Sequence, residues 1–89
     1  MDQRKEFREQ SIGDVCWSYA SDPEENKGVL LEQSKSGMSI MTYDPVKVGS
    51  ILRIEYKDSW LGERYVIVKW CQEMAPDNYR CGLSVIKHY

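Results

Sequence analysis

Alternation with a period of two governs this chain. SILRIEYK, residues 50–57, sets Leu52, Ile54 and Tyr56 on one side and Ile51, Arg53 and Glu55 on the other. DVCWSYA does the same with Val15, Trp17 and Tyr19 against Cys16, Ser18 and Ala20. Successive side chains of a strand point to opposite faces, so this pattern buries one face and wets the other. A helix would need apolar residues three and four apart, and that spacing is nearly absent. ERYVIVKWC is the longest candidate strand, with Val66, Val68 and Trp70 expected in the core and Cys71 turned outward. YRCGLSVI closes the chain with Tyr79, Cys81, Leu83 and Val85 inward, and KGVLLEQ and MSIMT bring the strands to six. Between them lie SDPEEN, SKSG, YDPVKVG, DSWLGE and MAPDN, all rich in turn residues. Six short strands so connected predict an all-β domain, a small antiparallel barrel or sandwich. Residues 1–12 stand outside the alternation as an arm attached to a single domain at 13–89.

Eighty-nine residues supply one modest core. Fourteen acidic against 12 basic residues give a net charge of −2, the wrong balance for coating a nucleic-acid polymer, though compatible with one small anion. The longest apolar runs, such as YVIV, are far short of the roughly 20 residues that span a bilayer, so no membrane insertion is expected. The N-terminus is polar and charged, unlike a signal peptide, and the cysteine count is odd; together these predict reduced thiols in the cytoplasm. Cys16, Cys71 and Cys81 form no C-x-x-C pair and His88 is the sole histidine, so neither a metal site nor a cofactor is expected. Cys71 and Cys81 flank one hairpin, but strict alternation puts them on opposite faces, which argues against a disulfide. A lone terminal histidine is a poor general base, no phosphate-cradling glycine loop is present, and Glu24 and Glu25 read as solvated turn charges. The chain does not read as an enzyme.

Two stretches remain. RKEFR places Arg4 and Arg8 four apart, where like charges repel on a helix. EQSKSG, Glu32 to Gly37, falls between two strands. Singly, the first is a solvated terminus and the second a plain turn in which Gly37 supplies a positive φ. Together, in this order and on six strands, they resemble the PilZ family, whose members carry R-x-x-x-R before the first strand and [D/N]-x-S-x-x-G between the second and third. Arg4 and Arg8 match the first motif; Ser34 and Gly37 match the second, with Glu32 where Asp or Asn is usual. VKVGSILRIEY, VIVKW and YRCGLSVI are similar to later segments of the family, so the resemblance runs from Arg4 to Ile86.

The resemblance implies a six-stranded antiparallel β-barrel of PilZ type with a flexible N-terminal arm. It also implies a ligand, cyclic di-GMP, held by Arg4, Arg8, Glu32, Ser34 and Gly37. The residue chemistry agrees. A guanidinium meets the adjacent O6 and N7 acceptors of guanine with two parallel bonds, and also pairs with phosphate. An anion between the two arginines relieves their repulsion. The carboxylate at 32 would accept from guanine N–H donors; its extra methylene relative to Asp threatens a loss of roughly 1–3 kcal/mol if the bond misaligns. Trp70 has the surface to stack on a base, but alternation assigns it to the core. The function so implied is a single-domain bacterial receptor, monomer or homodimer, that relays the second messenger to an effector protein. The alternative is a degenerate PilZ-like protein-interaction module that binds no nucleotide, with Trp60 and Leu61 at a hairpin tip as partner contacts.

Overall fold

The computed structural model describes residues 9–57 and 62–88. It is all-β, with six strands: β1 (Glu9–Tyr19), β2 (Asn26–Gln33), β3 (Gly37–Thr42), β4 (Ile51–Tyr56), β5 (Glu63–Ala75) and β6 (Asn78–His88). They close into a barrel in the order β1-β2-β3-β6-β5-β4, every neighbouring pair antiparallel. Closure gives each of the six described strands a hydrogen-bonded neighbour on both sides. The expected barrel is therefore found, and the sandwich is not.

The interior is filled by the predicted alternation. Val15 and Trp17 of β1 meet Leu30 of β2, Met38 and Ile40 of β3, Leu52, Ile54 and Tyr56 of β4, Val66 and Val68 of β5, and Cys81 and Leu83 of β6. Along β4, exposed and buried positions alternate without a break. Val46, from the β3–β4 connection, caps this core. Gly49 turns that connection with a φ of 89°, a conformation that costs a side-chain-bearing residue, and donates its N–H to Val68 O at 2.8 Å. Each fully buried aliphatic contributes about 1.5–3 kcal/mol through removal from water.

Two side-chain expectations fail, both through one change of register. Val68 faces Leu83 and Trp70 faces Gly82, so two steps on β5 match one on β6 and Lys69 is the extra residue of a β-bulge. One added residue moves every later side chain to the opposite face. Trp70, expected in the core, therefore lies outside and is 44% exposed. Cys71, expected outside, turns in and packs against the core directly opposite Cys81. The other difference is at the chain start. β1 begins at Glu9, with Glu9 opposite Gln33 and Gln10 opposite Glu32, so residues 9–12 of the expected arm lie on the first strand and the first two of them pair with β2. A register shift between Gln10 and Gly13 separates this stretch from the regular ladder.

Candidate functional site

On the outer wall, four residues line up across four strands. Glu32 of β2 is opposite Ser39 of β3, Ser39 is opposite Gly82 of β6, and Gly82 is opposite Trp70 of β5. A bulge bounds the row on either side. Leu31 is the extra residue between the Leu30–Ile40 and Glu32–Ser39 pairs, and Lys69 plays that part on β5. Without the first, Glu32 would follow Leu30 onto the inner face; without the second, Trp70 would follow Val68 there. Each bulge brings a side chain of the row onto the outside.

Gly82 makes the row concave. The Trp70 indole lies over it so closely that a Cβ at 82 would collide with indole Nε1 and Cε2. The result is a pocket of about 230 Å³, walled by Glu32, Ser39, Lys69, Trp70 and Arg80, with Gly82 in its floor. Its polar groups are incompletely matched. Ser39 is 5% exposed, yet its hydroxyl has no hydrogen-bond partner, and the buried Arg80 Nε has none either. Buried polar atoms are overwhelmingly paired in folded proteins, so two orphans in one pocket mark a place for something polar. The wall offers a cationic head at Lys69, a guanidinium, a carboxylate and an aromatic face, the groups that recognise a charged, planar, hydrogen-bonding ligand.

The sequence-predicted residues distribute as follows. Glu32 lines the pocket and Gly37 lies at its margin. Ser34 is not among the lining residues; it is buried in the β2–β3 turn, where its N–H and hydroxyl both donate to Gly37 O at 2.8 and 3.4 Å. The turn is clipped to β6 by Val85 N–H donating to Ser36 O at 2.7 Å. Gly37 does not take the positive φ expected of it; packing requires the glycine, since a Cβ there would stand 2.8 Å from Leu83 O. Arg4 and Arg8 lie outside the described residues, as do Trp60 and Leu61 of the expected hairpin tip. Because Glu9 and Gln10 pair with Gln33 and Glu32, the tether of the arginine segment is fixed next to the pocket.

Sequence reasoning missed Ser39, Lys69, Arg80 and Gly82. The one available signal was a glycine between two core positions, Cys81 and Leu83, in a strand that otherwise carries side chains outward. A second pocket of about 250 Å³ lies among Ser18, Tyr19, Asp22, Arg53 and Tyr65. Its arginine is already matched by Glu25 and Glu63 at 3.7 and 3.6 Å, which leaves little positive potential for an anion. Among the described residues no cluster of three His, Cys, Asp or Glu side chains could hold a metal ion, and no helix is long and apolar enough to cross a membrane.

Neither a family model nor a curated protein matches the sequence. Among solved structures, the barrel is similar to the Bacillus subtilis inhibitor of motility (MotI/DgrA), with a TM-score of 0.71 at 15% identity, covering all of this chain. The chain has a PilZ-like fold. At that identity the likeness shows the fold alone, and the chain spans 45% of the length of MotI/DgrA. Within the PilZ-like barrel, the four-strand row and its pocket adjoin the turn that carries the S-x-x-G spacing.

Proposed function

We propose that this chain is a receptor for cyclic di-GMP and that the nucleotide sits on the outer row from Glu32 to Trp70. The observation that carries this reading is the pair of orphaned polar atoms, Ser39 Oγ and Arg80 Nε, beside an exposed indole. A guanine laid on Trp70 gains stacking worth about 1–3 kcal/mol. Its O6/N7 edge accepts from an arginine fork, and its N–H edge donates to the Glu32 carboxylate. The pocket, at about 230 Å³, is below the roughly 300–1,000 Å³ common for small-molecule sites. A second wall is therefore needed, and the arginine segment tethered at Glu9 supplies it, with Arg4 and Arg8 on the phosphates and the exposed base edge. Ser34 and Gly37 act at one remove, by fixing the turn that forms the pocket margin.

A ligand held by Arg4 and Arg8 against the outer row gives a partner protein a composite surface that the free receptor lacks. MotI/DgrA is by name an inhibitor of motility, which supports a regulatory output through a protein partner and fits a non-enzymatic role. The test is calorimetric titration with cyclic di-GMP, GTP and a single-stranded oligonucleotide. Micromolar or tighter binding of cyclic di-GMP alone, abolished in Arg8→Ala, is expected. No heat with cyclic di-GMP would overturn the reading in favour of a nucleotide-free interaction module.

A further inference from the structure

We infer that Cys71 and Cys81 are a disulfide modification site, a cross-strand dithiol that a small disulfide oxidant closes. Cys71 of β5 and Cys81 of β6 are directly opposite in the antiparallel ladder. Opposite residues have Cα separations near 4.5 or 5.5 Å, depending on whether the pair is hydrogen-bonded, and both values fall inside the 4.4–6.8 Å window of a disulfide. The thiols already touch: Cys81 donates to Cys71 Sγ at 3.4 Å. Val46 N–H also points at Cys71 Sγ, at 3.5 Å. Closing to the bond length of about 2.05 Å needs side-chain rotation and no strand movement. The juxtaposition depends on the bulge at Lys69, since alternation alone would separate the two thiols.

The two sulfurs differ in access, which orders the reaction. Cys71 is half-buried, whereas Cys81 is fully buried and hydrogen-bonded to Cys71; burial, with that bond adding to it, pushes its thiol up to about 12. Cys71 therefore attacks first. Its thiolate displaces one thiolate from a low-molecular-weight disulfide such as oxidised glutathione, giving a mixed disulfide at 71. Cys81 then loses its proton and attacks the Cys71 sulfur, forming the Cys71–Cys81 bond and expelling the second thiolate. Two protein thiols are oxidised, one oxidant disulfide is reduced to two thiols, and both protons end on those products. Cys16, on β1, has neither partner and serves as the internal control.

The test is incubation of the folded chain with oxidised glutathione at pH 8, followed by acid quench, alkylation and non-reducing tryptic mass spectrometry. The expected product joins peptide 70–80 to peptide 81–87, with Cys16 recovered alkylated or as a simple glutathione adduct. The cross-link should raise Tm by roughly 5–10 °C in the oxidised chain, reversibly with dithiothreitol. Cys71→Ser must leave Cys81 alkylatable only after unfolding, and Cys81→Ser must trap the mixed disulfide at 71. A persistent glutathione adduct at Cys71 in the unmodified chain, or no reaction at either residue while Cys16 reacts, would overturn the assignment.

Discussion

Ile40 and Ser39 are neighbours on one strand, both nearly sealed from water, and they are buried for different reasons. Ile40 points into the barrel, is 0% exposed, and is satisfied by the apolar side chains around it. Ser39 points out, is 5% exposed, and keeps a hydroxyl with no partner. An inner-wall position is complete in the free molecule, because dispersion and exclusion of water are all it needs. Ser39, in the outer row, is covered by neighbouring side chains but left chemically unfinished. The contrast separates residues that hold the barrel from those on which the proposed ligand would rest.

Four substitutions break or sharpen that contrast. Ile40→Ala has the largest effect, a stability loss of about 2–5 kcal/mol from lost transfer energy and the cavity left behind. Urea unfolding reads it, and nucleotide affinity below the lowered midpoint should be unchanged. Gly37→Ala comes next, at about 1–3 kcal/mol, because the new methyl meets the Leu83 carbonyl at 2.8 Å and the main chain has to yield. A denaturation midpoint equal to that of the parent would refute the packing role of this glycine. Trp70→Ala inverts the pattern: stability changes by no more than about 1 kcal/mol, since the side chain is 44% exposed, while cyclic di-GMP affinity falls tenfold or more through lost stacking. Ser39→Ala is the smallest and the most diagnostic. Removing an unpaired buried hydroxyl should leave stability equal or raised by up to about 1 kcal/mol, with nucleotide affinity reduced several-fold. A clear loss of stability there would mean that the hydroxyl already serves the free fold.

The barrel was legible because its inner wall follows one rule. Leu52, Ile54 and Tyr56 show the alternation unbroken, and closure follows from six such strands with turn-rich connections. The outer row was not legible because it exists only where that rule is broken. Nothing in VIVKWC marks Lys69 as an inserted residue; the pairing partner on β6 decides it, and pairing is non-local. Hence Trp70 and Cys71 were each assigned to the wrong face. Glu32 was singled out through the motif spacing, whereas Ser39 and Arg80 belong to strands whose outward residues carry no local signature. Ser34 and Gly37 were picked as ligand contacts, and their geometry explains them first as the turn and its clearance from Leu83.

The extra residue at position 69 also has a hereditary consequence. Core and surface identity on this strand depend on whether the number of residues past the bulge is odd or even, so loss or gain of a single codon there exchanges the two classes wholesale. Removing Lys69 would send the indole into the hydrophobic interior and push one sulfur into solvent, erasing the proposed recognition face and parting the thiols in a single event. A lineage can therefore acquire or abandon such a face by indel, with no substitution at any residue that forms it.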